Sequence, residues 1–166
     1  ELDMQTFDFC KTLQIGFDTI NFNPSGERLI GTKSDSMHLI DPNRATIVKS
    51  YLNRSQIYQS KWLNDNSLVF TSYSCPLTLI DLRMDFQRQE FSCGNFTATS
   101  MCYDGKFGII YGTLLGMMVL CDMRNLRTFE RVFHLDMTTV CRDLVSDEAH
   151  LYVSTDNAIH LLNFDY

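Results

Sequence analysis

The chain has 166 residues, a length that suits one domain with a sizeable core. Hydrophobic residues make up 45% and charged residues 20%, with only three prolines, and this composition excludes a disordered chain. The formal net charge of −6 disfavours a nucleic-acid reader, which needs a basic face to bind phosphates.

The longest uncharged run, from Phe107 to Cys121, is too short for a membrane helix, which needs about 20 residues. Three glycines, Gly108, Gly112 and Gly116, also interrupt it. The run therefore predicts two strands around a turn, and no membrane partner is expected.

The six cysteines form no CxxC pair, and four of them lie inside apolar runs, as small core residues do. This pattern favours reduced thiols in an intracellular protein over a disulfide framework, so a cytoplasmic or nuclear location, or both, is expected. The sequence begins at Glu1 without a basic-then-apolar leader. We therefore expect a segment of a longer chain with no signal peptide.

The first 41 residues predict four short strands. In chain order these are an outer strand Thr6–Leu13, then 18–23, 28–33 and 37–41. A Pro-Ser-Gly turn separates the second from the third, which is a hairpin signal. No segment of the chain offers twelve residues with helical periodicity and caps.

The same pattern returns along the chain. Apolar runs end in an acid at Asp41, Asp81 and Asp122, and the last run ends in the isostere Asn163, at spacings of 40, 41 and 41. Turn signals at 23–26, 64–67, 103–106 and 146–149 keep step with these residues. Two markers in phase indicate an internal repeat with units 4–41, 42–81, 82–122 and 123–163.

Four short strands per unit, repeating about every 40 residues, predict an all-β fold of the β-propeller type. A β-sandwich is the alternative, but a sandwich requires no fixed repeat. The segments SDSMHLID, SCPLTLID, LGMMVLCD and DNAIHLLN resemble the end of the third strand in WD40 repeats. Where that family has Trp before the acid, this chain has Ile40, Ile80, Cys121 and Leu162, so the hydrogen-bond network of the family is not expected.

The WD40 resemblance implies a ring of seven or eight blades, of which four units would supply the carboxyl-terminal half. The outer strand Thr6–Leu13 would then need a sheet that these residues do not contain. A closed four-bladed ring is the alternative.

Residue types that could bind a metal or catalyse a reaction do not cluster in this repeat. His38 and His160 occupy the same repeat position and belong to different blades, so no metal site or cofactor is expected. Cys141 and Cys102 have nearby acids, but adjacent strand residues point to opposite faces and form no catalytic dyad. The sequence therefore predicts a protein that is not an enzyme.

A propeller presents loops on two faces, where protein partners would bind. On the face with the turn before each third strand, we select candidate partner-binding residues; Arg and Tyr are favoured anchors in protein interfaces. They are Lys33, Asp35, Arg54, Tyr58, Tyr73, Phe96, Asp136 and Asp156. The alternative for each is a solvated loop residue.

On the opposite face, Asp81 with Arg83 and Asp122 with Arg124 resemble the Asp-x-Arg ending of WD40 receptors of cullin-4 ubiquitin ligases. The resemblance implies that these arginines face an acidic adaptor. The alternative is an Asp–Arg pair that pins the turn.

The last sixty residues resemble the carboxyl end of the dactylin-type F-box/WD-repeat proteins, which close on a short strand like His150–Tyr152 followed by 161–164. This resemblance implies a substrate-recognition propeller of an F-box-type cullin-RING ubiquitin ligase, with an F-box and the remaining blades lying upstream. The alternatives are a structural scaffold in a larger multiprotein assembly and a cullin-4 receptor.

Overall fold

A computed structural model describes residues 15–84, 87–91, 97–103, 108–122, 129–135, 139–147 and 150–163. These residues form an all-β fold of four antiparallel sheets. The first sheet contains β1 (Thr19–Phe22), β2 (Leu29–Lys33), β3 (Ser36–Asp41) and β4 (Thr46–Leu52). The second contains β5 (Ile57–Asn64), β6 (Ser67–Ser72), β7 (Leu77–Asp81) and β8 (Gln87–Phe91), with a 3-10 turn at Leu82–Met84 before β8.

The other two sheets follow the same plan. The third contains β9 (Ala98–Tyr103), β10 (Gly108–Thr113), β11 (Met117–Asp122) and β12 (Phe129–His134). The fourth contains β13 (Cys141–Ser146), β14 (His150–Thr155) and β15 (Ile159–Asn163). Within each sheet the spatial order of the strands is their order in the chain, so every sheet is a meander.

Local sequence explains the hairpin that opens the first sheet. Gly26 adopts a φ of 75°, which glycine accepts without strain, and its N–H donates to the Asn23 carbonyl at 2.9 Å. The buried Asn23 side chain accepts the N–H of Arg28 at 2.9 Å. The Pro-Ser-Gly hairpin prediction is therefore confirmed between β1 and β2.

Consecutive sheets pack face to face around a common centre. The first strands contact one another in order, β1 with β5, β5 with β9, and β9 with β13. They form the inner side of the arc, while β4, β8 and β12 lie outside them in their sheets. Three apolar clusters fill the spaces between neighbouring sheets, centred on Phe70, Tyr111 and Val153.

The four residues that mark the predicted repeat each end the third strand of a sheet. The strands β7 and β15 end at Asp81 and Asn163, where the apolar runs were predicted to end, and both Leu77 and Ile80 are fully buried in β7. The uncharged run after Phe107 forms β10 and β11 around a turn, as predicted. The predicted outer strand Thr6–Leu13 lies outside the described residues.

One replacement within the repeat has a clear physical reason. Gly31 stands where the second and third sheets have buried aromatics, Phe70 and Tyr111. A Cβ at Gly31 would lie 2.7 Å from the ring of Phe17, which covers the position and contacts His38 at a centroid distance of 5.7 Å. The aromatic side chain therefore comes from the segment before β1 instead of from β2.

Candidate functional site

The connections between strands lie on two faces of the arc. The upper face carries the turns at 34–35, 73–76, 114–116 and 156–158 and the β4–β5 connection at 53–56. The lower face carries the turns at 23–28, 42–45 and 65–66 and the 3-10 turn after β7. Antiparallel pairing places each class of connection at one end of its sheet.

Main-chain hydrogen bonds hold the first part of the upper face together. The N–H of Asn53 donates to the Asp35 carbonyl at 2.8 Å, and the N–H of Ile57 donates to the Ser34 carbonyl at 2.7 Å. The β4–β5 connection is thereby fixed against the β2–β3 turn. Side chains on these two segments, including Asp35 and Arg54, project from a braced backbone.

The same connection is also bound to the second sheet. The N–H of Tyr73 donates to the Gln56 carbonyl at 3.0 Å. The hydroxyls of Ser55 and Ser74 lie 2.7 Å apart, and the N–H of Ser74 donates to the Ser55 hydroxyl at 3.0 Å. The upper face is therefore continuous across the first two sheets.

In the second, third and fourth sheets, a buried hydroxyl closes the turn between the second and third strands. Thr113 Oγ1 accepts the N–H groups of Leu115 at 3.3 Å and Met117 at 3.1 Å. Ser72 and Thr155 stand at the same repeat position, and each hydroxyl accepts the N–H three residues on. Side-chain hydroxyls often satisfy turn donors in this way. Sequence reasoning missed this series, although its spacing of 41 and 42 follows the repeat.

The residue after each hydroxyl points outwards and differs in character from sheet to sheet. Tyr73 and Leu114 are exposed apolar residues on the second and third sheets, and Asp156 is an exposed acid on the fourth. Leu115 is exposed beside Leu114. We name Tyr73, Leu114 and Leu115 the apolar sector of the upper face.

The structure brings together only part of the predicted partner-binding set. Asp35, Arg54 and Tyr73 lie exposed on the connected segments, and Lys33 is exposed at the end of β2. Tyr58 lies half-buried within β5. Phe96 and Asp136 lie outside the described residues.

Asp156 occupies a different part of the upper face. Its Oδ1 accepts a hydrogen bond from Arg142 Nε at 2.6 Å on the fourth sheet. The two leucines of the apolar sector were not selected from the sequence. Leu114 follows Tyr73 by 41 residues, and this repeat spacing is the sequence signal that places Leu114 on this face.

Side chains of the inner strands bond to neighbouring sheets. Gln59 Oε1 accepts the N–H of Met101 at 2.5 Å, and its Nε2 donates to Asp143 Oδ1 at 3.2 Å. Thr99 Oγ1 donates to the Cys141 carbonyl at 2.5 Å. These bonds satisfy main-chain groups on β9 and β13 and join the inner strands of the second, third and fourth sheets.

On the lower face, the repeated acids close the turns that follow the third strands. Asp41 Oδ1 accepts the N–H groups of Asn43 at 2.9 Å and Arg44 at 3.1 Å. Asp81 Oδ1 likewise accepts the N–H of Arg83 at 2.9 Å. An aspartate favours such turns because its carboxylate bonds the backbone two residues on.

Asp81 and Arg83 also form a bidentate pair. Arg83 Nε lies 3.0 Å from Asp81 Oδ1, and Nη2 lies 2.6 Å from Oδ2. The arginine hydrogen bonds hold the pKa of the Asp81 carboxyl below its usual range and raise the pKa of Arg83. This is the geometry of an Asp–Arg pair that pins its turn. Asp122 is half-buried at the end of β11, and Arg124 lies outside the described residues.

The titratable groups singled out from the sequence lie in separate places. His38 hydrogen-bonds the hydroxyls of Ser50 at 2.8 Å and Ser36 at 3.1 Å, whereas His160 lies on β15. Burial raises the pKa of the Cys141 thiol, which lies 3.8 Å from the Met117 carbonyl. Within the described ranges, no three His, Cys, Asp or Glu side chains lie close enough to hold a metal ion.

A search of the described part of the chain finds no helix with the length and apolar character needed to cross a membrane.

Comparisons with known proteins identify the fold. No protein-family model and no curated protein matches the sequence. Among solved structures, the chain is similar to the β-propeller domain of Myceliophteria thermophila Cps50 (Swd1), with a TM-score of 0.75 and 14% sequence identity. The match covers 87% of this chain and 51% of that one, so the chain spans about half of that propeller domain. The predicted all-β propeller fold is confirmed, and the number of blades in the full ring stays a prediction.

Proposed function

We propose that this chain is a non-catalytic protein-interaction propeller that binds its partner through the upper face. The apolar sector is the observation that carries the proposal. Tyr73, Leu114 and Leu115 are exposed side chains on turns whose backbones are fixed by hydrogen bonds. Large apolar groups on a rigid frame bind with little loss of conformational entropy.

Residues around the apolar sector suit the rim of a protein interface. Arg54 and Asp35 lie exposed on the neighbouring segments, and the Arg142–Asp156 ion pair lies on the fourth sheet. Mixed charges around a central apolar group are typical of protein–protein contacts. The acidic total of the chain gives no support to a nucleic-acid partner.

The more specific proposal is a substrate-recognition role in an F-box-type cullin-RING ubiquitin ligase, in the cytoplasm, the nucleus or both. Its support is the resemblance of the last sixty residues to the dactylin-type proteins. The cullin-4 alternative has weaker support, because the guanidinium of Arg83 is engaged with Asp81. A scaffold role in a larger assembly would use the same upper face without a ligase.

Quantitative affinity capture with matched variants tests the interaction face. Leu114→Ser with Leu115→Ser removes two adjacent exposed apolar groups from the third sheet. Val132→Ser with Phe133→Ser makes the same change on the exposed part of β12 of that sheet. We expect the Leu114→Ser, Leu115→Ser variant to reduce partner capture at least about fivefold. This corresponds to losing about 1 kcal/mol of binding free energy, the contribution of one interface anchor. Equal capture by both pairs would contradict the upper-face proposal.

The ligase proposal is tested separately, by capture of the complete protein from cells in which neddylated cullins are preserved. Recovery of cullin-1 and its adaptor supports the F-box role, and recovery of cullin-4 supports the alternative. Capture of other proteins through the upper face without any cullin would retain the interaction proposal and reject the ligase.

A further inference from the structure

An open cleft lies between the first and second sheets, at their lower and outer corner. Its volume is about 380 Å³. Its walls come from β3, β4 and the β1–β2 turn of the first sheet and from the 3-10 turn that follows β7 of the second. We name it the lower cleft. It lies at the opposite end of these strands from the upper face, so the proposed interaction surface does not include it.

The floor of the lower cleft is apolar. Leu39 belongs to the apolar cluster between the two sheets, and Leu82 packs against that cluster. Val48 lines the same cleft but is 63% exposed. Met84, on the same 3-10 turn as Leu82, is 59% exposed. The core between the two sheets therefore continues into an apolar surface that solvent can reach, and such surfaces mark interaction sites.

Val48 is the extra residue of a β-bulge in β4. On one side of it, Lys49 pairs with Leu39. On the other side, Ile47 pairs with Ile40, so Val48 has no partner on β3. The equivalent strands of the second sheet, β7 and β8, pair without such a shift. A bulge re-aims side chains and is common beside functional sites, and this one places an apolar side chain at the cleft.

Three of the four charged residues around the lower cleft are already engaged within the chain. Asp41 accepts main-chain N–H groups of its own turn, and Arg28 Nη1 donates to Asn66 Oδ1 at 3.3 Å. Lys49 also has an interaction within the chain. Glu27 is exposed, and none of the described residues forms a hydrogen bond or ion pair with its carboxylate. The cleft thus combines an apolar floor with one available negative charge.

We propose that the lower cleft is a second docking site, which binds a short segment of a protein partner that carries a large aliphatic side chain beside a lysine or arginine. The aliphatic side chain packs on Val48 between Leu39 and Leu82, and the cation pairs with Glu27. The volume lies near the lower end of the range of about 300–1,000 Å³ for ligand sites, which suits a few side chains. With both sites occupied, the propeller joins two partners.

Selection from a random heptapeptide library displayed on phage tests the site. The complete protein is the target, and clones that also bind the Val48→Arg variant are removed. We expect enrichment of peptides with a large aliphatic residue beside Lys or Arg. In anisotropy titrations, the labelled enriched peptide should bind Val48→Arg at least about tenfold more weakly than the parent, because the new cation repels it and covers the floor. Val132→Arg, the same change on the outer strand of the third sheet, should bind like the parent, and circular dichroism should match for both variants because both side chains are exposed.

Glu27→Gln tests the charge separately. It should weaken peptide binding about two- to fivefold at low ionic strength, the range for an exposed ion pair, and added salt should remove most of the difference. The Leu114→Ser, Leu115→Ser variant should bind the peptide like the parent, so failure at the lower cleft is distinguishable from failure at the upper face.

Three results would overturn the proposal. The first is no enrichment of an aliphatic–basic pattern, as expected if another part of the complete chain fills the cleft. The second is equal peptide affinity of the parent and Glu27→Gln at low ionic strength. The third is self-association of the protein that Val48→Arg abolishes, since a second copy would then occupy the cleft.

Discussion

Replacement of Thr113 by valine tests the buried hydroxyls that close the upper-face turns. Valine keeps nearly the same shape but removes the oxygen that accepts the N–H groups of Leu115 and Met117. Thr113 is fully buried, and the N–H of Met117 is buried with it. Leaving such a donor unsatisfied costs about 1–3 kcal/mol, and the partly buried N–H of Leu115 adds less.

We therefore expect Thr113→Val to lower the free energy of unfolding by about 2–3 kcal/mol. For a domain of this size, that loss corresponds to a fall in melting temperature of about 4–12 °C. Urea titration followed by circular dichroism gives the free energy, and calorimetry gives the melting temperature.

Thr113→Ser provides the matched control because it keeps the accepting oxygen and removes only a methyl group. Most of the stability should return in this variant. If Thr113→Val and Thr113→Ser were equally stable, the hydroxyl would have no role in closing the turn and the reasoning would fail.

Three further predictions concern packing and charge. Gly112→Ala should lower the free energy of unfolding by about 1–3 kcal/mol, because the alanine Cβ would collide with Cβ of Cys141. A melting temperature by calorimetry equal to that of the wild type would contradict this close packing. Phe70→Ala, in the interface between the first two sheets, should cost about 3–5 kcal/mol by urea titration, and a loss below 1 kcal/mol would place that ring outside the core. Since the pKa of Asp81 is lowered in the folded state, its contribution is present above the unfolded pKa of about 4 and is lost as the pH falls through the folded value. Below about pH 4, wild type should therefore lose stability relative to Asp81→Asn, and parallel acid-unfolding curves would show that the bond to Arg83 has no such effect.

The repeat could be predicted because its markers have local causes. Asp41 and Asp81 each end a third strand and bond the turn that follows, so the acids recur wherever the same turn recurs. The runs of alternating and apolar residues then place the strands between markers. The carboxyl ends of β7 and β15 follow from these local signals alone.

Contacts between sheets could not be read from the sequence. The bonds of Gln59 to Met101 and Asp143 depend on how closely three inner strands approach. The cover that Phe17 gives to Gly31 likewise depends on the path of the chain before β1. Neither arrangement produces a periodic pattern in the sequence.

Only part of the candidate site on the upper face could be predicted from the sequence. The selection from the sequence took mainly charged and aromatic residues, so it included Tyr73, Arg54 and Asp35 on the upper face but not Leu114 and Leu115. Both leucines are exposed in the observed turn at 114–116. Their role in partner binding stays a prediction.

Hydrogen exchange on the complex with a captured partner tests the interaction face most directly. Partner binding should slow amide exchange at 73–76 and 114–116 on the upper face and leave the lower-face turn at 42–45 unchanged. Protection confined to the lower face, around Asp41 and Asp81, would contradict the proposed function.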